Sequence, residues 1–321
     1  MHSIRCIFPL IGEVSIDIKN KKLFNFTKRQ LKNYVKTVSK IQNLNTSIII
    51  KTSIKKQNSD ILLGRLIVFK NNQFRSIQNS KVQTISYEYD FNKNLIIKVD
   101  LKKKSLFYLK KLLKSDYSIT HGLFYQTILY PIFSLYSIKD NYSLVHGSLL
   151  KIKDNYIVLT GLDGVGKSSL SNELVIDGAE ILADNFVLYN GNNFIGLNMP
   201  IRLDLDNKTE ENIIYKDKTL KEILYKNYEK NAIQVKSIYF LSIGEYFSIN
   251  DIDEKIAKQN WNLINNGANE ILGANLFNMP FLYQNIFDKE SKNSVMAFYH
   301  LSIPKGKIKE AKQEILCQLS I

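Results

Sequence analysis

Short runs of apolar and β-branched residues alternate with polar turns over residues 1–100. Runs of this length, bounded by Asn-rich turns, predict β-strands. One segment, residues 30–38, has the spacing of a helix instead. The predicted strands are residues 13–18, 48–50, 64–69, 84–89 and 95–99. We therefore expect residues 1–120 to form a mostly β, largely antiparallel accessory region without a catalytic arrangement of side chains.

From residue 101 onward, helical spacing of apolar residues alternates with further short apolar runs. The predicted helices are residues 101–113, 123–136 (with a kink at Pro131), 219–228, 251–266, 270–277 and 307–319, with another helical turn opening at Pro280. The predicted strands are residues 145–150, 156–160, 179–184, 186–189, 194–197, 235–241 and 296–303. This alternation indicates an α/β fold with a mixed sheet and packed helices, which we assign to residues 121–321.

One glycine-rich segment, Gly161 to Ser168, fits the pattern G-x-x-x-x-G-K-[ST] at every fixed position. The pattern indicates a phosphate-binding loop (Walker A, or P-loop) only where a strand precedes it and a helix follows. Residues 156–160 read as a buried strand, and residues 168–175 read as a helix that stops at Asp177-Gly178. Both conditions are met. We predict a nucleoside triphosphate site rather than an ordinary glycine-rich turn.

The chemistry of such a loop follows from its backbone. Glycines allow conformations in which successive N–H groups point at phosphate oxygens, and the helix adds its positive N-terminal end. Lys167 would reach the β- and γ-phosphates, and the Ser168 hydroxyl would bind Mg²⁺. We take Asp163 to be a solvated loop position rather than a catalytic group. The predicted nucleotide-binding residues are Gly161, Leu162, Asp163, Gly164, Val165, Gly166, Lys167, Ser168 and Ser169.

A carboxylate at the end of the next predicted strand is the second half of the candidate site. Asp184 lies 17 residues after Lys167, a much shorter separation than in most switch and motor NTPases. A triphosphate site needs a further Mg²⁺ ligand or base besides the loop. The alternative is that Asp184 has only a structural role, as a turn residue or a helix cap. We predict that Asp184 and Ser168 bind Mg²⁺ together.

Composition limits the remaining function classes. The formal net charge is +14, but the lysines are dispersed and match no recognised nucleic-acid-binding module, so we do not expect nucleic-acid binding. Two cysteines and four histidines lack the spacing of a metal site. No run reaches the roughly 18–20 apolar residues of a membrane helix, and no signal peptide is evident. We expect a cytoplasmic protein without a membrane partner.

Residues 145–203 resemble a known kinase family at several points. The matching residues are His146-Gly147 before the loop strand, the loop itself, Leu182-Ala183-Asp184-Asn185 and, more weakly, Met199-Pro200-Ile201-Arg202. Together they resemble the HPr kinase/phosphorylase family, which shares its phosphate-binding core with ATP-type phosphoenolpyruvate carboxykinases. The resemblance implies that His146 lies close to the γ-phosphate and that Arg202 clamps the transferring group. The alternative for His146 is a core histidine that is hydrogen-bonded to a backbone carbonyl group, and the alternative for Arg202 is a surface salt bridge.

The same resemblance implies an activity. Members transfer a phosphoryl group from ATP to a serine of a small carrier protein, and relatives act on peptides or small molecules. It therefore implies ATP and Mg²⁺ as cofactors and a phosphoacceptor protein, peptide or small molecule as partner. Relatives often form closed oligomers, which makes a homo-oligomer an expectation. None of this follows from composition or periodicity.

One position departs from the family pattern. The family has two consecutive acids after the alanine, and the second is the presumed general base; this chain has Asn185 there. Three alternatives are open. Asp184 serves as both metal ligand and base, or the base comes from elsewhere in the chain, or transfer is slow or absent. Three hypotheses follow: an ATP- and Mg²⁺-dependent kinase acting on a hydroxyl, a nucleotide-binding regulatory module without transfer, and, from net charge alone, a nucleic-acid-associated NTPase.

Overall fold

The computed structural model describes residues 2–18, 20–35, 46–51, 67–70, 73–79, 83–90, 94–101, 116–129, 132–133, 136, 142–191, 193–197, 199–204, 213–216, 220–225, 231–264 and 296–320. The described residues form two compact units, which divide between Asn141 and Tyr142. The first unit continues past residue 120, where the sequence pattern ends the accessory region. It continues because the helix that begins at Asp116 packs on the first helix of the chain, with the Phe26 and Phe124 rings 5.6 Å apart.

A mixed sheet of seven strands lies in the described part of the first unit, in the order β1-β2-β3-β7-β6-β5-β4. Its strands are β1 (His2–Phe8), β2 (Gly12–Ile18), β3 (Thr46–Lys51), β4 (Ile67–Lys70), β5 (Gln73–Asn79), β6 (Gln83–Asp90) and β7 (Asn94–Leu101). The pairs β2–β3 and β3–β7 are parallel, and the other neighbours are antiparallel. The sequence pattern missed β1 and β5; in β5 only Phe74 and Ile77 are apolar, which gives no alternation, whereas β1 does alternate through Ile4, Cys6 and Phe8.

Helix α1 (Lys21–Gln30) ends at the residue where the sequence pattern begins its helix over residues 30–38. That prediction is wrong for the described residues 31–35: residues 31–34 form turns, and Val35 forms an isolated β-bridge with Cys6. Residues 36–38 lie outside the described residues. The helix begins early because the Asn20 side chain accepts a hydrogen bond from the Leu23 N–H at 3.0 Å, which caps the N-terminus.

The next helical segment also begins earlier than its apolar stripe indicates. Helix α2 spans Asp116–Phe124 and continues as a π-helical turn over Tyr125–Leu129. The described residues 132, 133 and 136 are helical too, in agreement with the predicted helix over residues 123–136. The predicted kink at Pro131 and the helices over residues 101–113, over residues 270–277 and at Pro280 lie outside the described residues, apart from Leu101 in β7.

The second unit contains a large mixed sheet with strand order β12-β11-β8-β9-β16-β18-β17, and β10 pairs with β8 as well. These strands are β8 (Ser143–Ile152), β9 (Asn155–Gly161), β10 (Glu180–Ala183), β11 (Phe186–Tyr189), β12 (Phe194–Gly196), β16 (Ser237–Ile243), β17 (Ser248–Asp251) and β18 (Ala297–Ile303). Strands β9, β16 and β18 are parallel to one another, so their carboxyl ends share one edge.

Two hydrophobic clusters cover the two faces of this sheet. On one face, helices α3 (Lys167–Ile176) and α5 (Ile308–Gln318) pack through Leu170, Leu174 and Ile315. On the other, the helix over residues 254–264, α4, packs through Trp261 and Ala257. The alternation of Val158 and Leu159 between the two clusters is that of a strand buried on both faces. The predicted α/β class with a mixed sheet is confirmed.

A separate three-stranded sheet, in the order β13-β15-β14, corrects one helix prediction. Its strands are β13 (Ile201–Asp204), β14 (Ile213–Lys216) and β15 (Leu220–Ile223). The sequence pattern assigns residues 219–228 to a helix, which is wrong for residues 220–223. The Leu-Lys-Glu-Ile segment has helix-forming residues, but antiparallel pairing with β13 and β14 overrides that propensity. No helix in the described part of the chain is long and apolar enough to cross a membrane.

Candidate functional site

The glycine-rich loop, residues 161–168, leads from the carboxyl end of β9 into the first turn of α3, as predicted. Gly166 precedes the helix with a φ of +96°, a left-handed conformation that favours glycine. The helix therefore begins directly at Lys167, with its first N–H groups facing the loop. Such an N-terminus attracts anions because its N–H groups have no partner within the helix.

Lys167 lies within the loop rather than in solvent. Its ammonium group donates hydrogen bonds to the carbonyl oxygens of Gly161 at 2.9 Å and Leu162 at 2.8 Å. Burial lowers the pKa of Lys167, while the negative charges of Asp163 and Asp184 oppose that shift. The Lys167 ammonium group is therefore held by two carbonyl oxygens of the loop and interacts with the charges of two nearby carboxylates.

Asp184 lies beneath the loop, in contact with the first turn of α3. The Ser168 hydroxyl lies 3.0 Å from its Oδ2 and 3.2 Å from its Oδ1. A second hydroxyl, that of Ser148 on β8, donates to Oδ1 at 2.6 Å. The predicted pair of Ser168 and Asp184 is therefore close in space, and Ser148 joins it.

The position of Asp184 follows from strand register. Strands β10 and β11 pair with the same neighbour, β8, through Ala183 opposite Leu149 and Phe186 opposite His146. Continuing this register across the gap places Asp184 opposite Ser148. The chain breaks regular pairing there because the next residue, Asn185, has a φ of +72°.

Asp184 is 5% exposed, and burial raises the pKa of its carboxyl group. Hydrogen bonds from Ser148, from Ser168 and from the Asn185 N–H act in the opposite direction, as does the charge of Lys167. A buried carboxylate surrounded by donors is costly to keep unless it has a charged partner. This environment is typical of functional sites.

His146 occupies the same strand face as Ser148, two residues away on β8. Its Nε2 lies 3.3 Å from Asp163 Oδ1, and its side chain is 15% exposed, whereas that of Asp163 is 97% exposed. Burial and the nearby charge of Lys167 lower the pKa of His146, and Asp163 opposes them. His146 thus lies beside the loop, and Asp163, expected to be only solvated, is its neighbour.

Arg202, in contrast, is not in contact with these groups among the interactions of the described residues. It lies on β13 between Ile201 and Leu203, which are buried in the cluster that includes Leu170 of α3. Because neighbouring residues of a strand point to opposite faces, the Arg202 side chain is exposed on the far face of the small sheet.

Helix α5 supports the loop helix from its outer side. Lys312 of α5 lies 2.7 Å from Asp177 and 3.8 Å from Glu173, two carboxylates at the C-terminal part of α3. At the other end, a β-carbon at Gly166 would lie 3.1 Å from Ile308, the first residue of α5. This contact leaves little room for a side chain at Gly166.

The donor set suits a hard divalent cation. The Ser168 hydroxyl and the Asp184 carboxylate offer only oxygen, and Mg²⁺ usually takes one or two protein oxygens with waters and substrate phosphates. Loop residues Leu162, Asp163, Gly164 and Ser169 are exposed, so the outer surface of the loop is accessible.

The sequence did not single out Ser148. Its only signal is its place two residues after His146 on one face of a strand.

Comparison with known proteins gives distant structural likenesses and no match at the level of sequence. No protein-family model and no curated protein matches the chain. Among solved structures, the HPr(Ser) kinase/phosphatase from Coxiella burnetii is similar over 56% of this chain and 96% of its own, with 12% identity and a TM-score of 0.26. At this identity and TM-score the similarity is a distant one.

Proposed function

We propose that this protein is an ATP- and Mg²⁺-dependent kinase of the HPr-kinase-like type, which transfers the γ-phosphate to a hydroxyl group. The acceptor is a serine of a protein or peptide, or an alcohol of a small molecule. The observation that carries the proposal is the contact between Ser168 and Asp184 under a glycine-rich loop that opens α3. Loop, lysine, hydroxyl and acid together are the parts that a triphosphate site needs.

Each side chain has a role in this proposal. The loop amides and the N-terminus of α3 bind the β-phosphate, and Lys167 leaves the carbonyl groups of Gly161 and Leu162 to bind the β- and γ-phosphates. Ser168 and Asp184 hold Mg²⁺. When bound, that ion offsets the negative charge that develops during transfer.

The acceptor hydroxyl must lose its proton, and the proposal has two candidate bases, Asp184 and His146. Asp184 is buried and accepts hydrogen bonds from two serines, whereas His146 lies beside the loop with part of its ring exposed. Its lowered pKa keeps the imidazole neutral near pH 7, the state that accepts a proton. We favour His146 for this step, with Asp184 mainly a metal ligand.

A regulatory module that binds the nucleotide without transfer is the second candidate. Asn185 favours it, because an amide cannot act as a general base. Yet Asn185 also has a backbone role: it adopts a left-handed φ, and its carbonyl oxygen accepts a hydrogen bond from the Gly147 N–H at 3.1 Å. Loss of a general base typically costs about 10²- to 10⁴-fold, which still leaves measurable transfer.

The test is a single-turnover incubation with γ-labelled ATP and Mg²⁺, in cell lysate with and without its small molecules. We expect label on one discrete protein or metabolite and its loss in Lys167→Ala. Asn185→Asp is expected to raise the transfer rate if the chain is a weakened kinase. If ATP binds in a Lys167-dependent way but neither the wild-type protein nor Asn185→Asp transfers label, the kinase proposal fails and the regulatory module remains.

A further inference from the structure

The strand beside the loop changes character where it passes Asp184. On the face of β8 that meets α3, Ile152 and Leu150 belong to the hydrophobic cluster, whereas Ser148 and His146 are polar. Ser148 is fully buried. A buried hydroxyl is costly unless it is hydrogen-bonded, and the bond that Ser148 makes goes to the predicted metal ligand.

The two oxygens of Asp184 have different surroundings. Oδ1 accepts the 2.6 Å hydrogen bond from Ser148 and lies 3.2 Å from the Ser168 hydroxyl, whereas Oδ2 lies 3.0 Å from Ser168. Ser148 belongs to β8 and Ser168 to α3, so the carboxylate is held from two independent elements. A hydrogen bond to a charged acceptor at this distance is among the stronger ones.

We propose that Ser148 is a positioning residue for magnesium binding: its hydroxyl fixes Oδ1 of Asp184 and so directs Oδ2 to the metal beside Ser168. This inference rests on the proposed function, since it assigns a role within the same nucleotide site. Ser148 touches neither nucleotide nor metal in this role. It acts through the carboxylate, as the hydrogen-bonding partners of other metal ligands do.

The role predicts a selective defect. Without the Ser148 hydroxyl, the carboxylate loses one donor and rotates more freely, so the affinity for ATP in the presence of Mg²⁺ falls. Binding of ATP without the metal depends on the loop amides and Lys167, and among the described residues the Ser148 hydroxyl bonds to Asp184 and not to these groups. A residue that only maintained the fold would weaken both kinds of binding equally.

The experiment uses the full chain and measures the dissociation constant of ATP by calorimetry, once with saturating MgCl₂ and once in EDTA. In Ser148→Ala, we expect the gain in affinity from Mg²⁺ to fall about 10- to 100-fold, with the EDTA value changed less than about twofold. Ser148→Thr keeps a hydroxyl and should restore most of the gain. Thermal unfolding of each variant confirms that it is folded.

Ser171→Ala is the matched control. Ser171 is a fully buried serine on α3, and its hydroxyl has no hydrogen-bond partner among the described residues. It should leave both dissociation constants unchanged. Equal losses with and without Mg²⁺ in Ser148→Ala, or no loss at all, would overturn the positioning role. A wild-type protein that binds no ATP, or gains nothing from Mg²⁺, would refute the proposed function itself.

Discussion

The buried carboxylate of Asp184 makes a prediction in which stability and ligand binding respond differently. We consider Asp184→Asn, which keeps the shape and removes the charge. Hydrogen bonds to a charged acceptor contribute about 1.5–3 kcal/mol each, and Asp184 accepts them from Ser148, Ser168 and the Asn185 N–H. Against this, burying a carboxylate costs several kcal/mol. Because the two contributions nearly cancel, we expect the free energy of unfolding to change by less than about 2 kcal/mol.

Metal binding should respond far more strongly than stability. Loss of a partner of a metal ligand costs about 10- to 100-fold, so loss of the ligand itself should reduce the Mg²⁺-dependent part of ATP affinity by at least about 100-fold. Urea unfolding in EDTA and ATP titrations with and without MgCl₂ measure the two quantities. Asp154→Asn, at an exposed carboxylate in the turn between β8 and β9, is the control. A loss of more than about 3 kcal/mol of stability with intact Mg²⁺ dependence would make Asp184 a structural residue.

Three further predictions concern neighbouring features and the first unit. Gly147→Ala should lower the free energy of unfolding by about 1–3 kcal/mol, measured in urea, because its β-carbon would lie 2.6 Å from the Leu159 carbonyl oxygen; an unchanged midpoint would contradict this. His146 has a lowered pKa, so the unfolded chain binds its proton first and stability falls as pH drops below about 6.5. In His146→Gln, the urea midpoint should depend less on pH in this range than in the wild-type protein. An equal pH dependence in both proteins would contradict the role of His146. Burial raises the pKa of Cys6 to about 12, whereas Cys317 is exposed. A thiol reagent at pH 8 should therefore modify Cys317 quickly and Cys6 only in denaturant.

The sequence alone predicts the local parts of the site well. The strand before the loop, the loop and the helix after it are contiguous, so residue types and spacing are sufficient to predict them. The closeness of Ser168 and Asp184 also follows from local order, since one helix and one short strand separate them. Here the structure brings the predicted pair within hydrogen-bonding distance.

Features that depend on pairing between distant segments were not predictable. Ser148 meets Asp184 only because β8 pairs with both β10 and β11 in one register, which no local pattern encodes. The segment Leu220–Ile223 reads as a helix by propensity but pairs as a strand. Arg202 matched a motif by position, and in the fold its side chain is exposed on β13 between two neighbours that are buried in the cluster containing Leu170.

Asn185 links the fold of the site to its chemistry. Its left-handed φ allows β10 and β11 to pair with the same strand, β8. Asp184 lies between β10 and β11 and contacts Ser168 of the glycine-rich loop. Asn and Asp are both enriched in this conformation relative to other side chains, so Asn185→Asp is compatible with the same backbone. That compatibility makes the variant a clean test of transfer. A rise in rate would assign the new carboxylate to proton transfer, and an unchanged rate would leave that step to His146 or show that no transfer occurs.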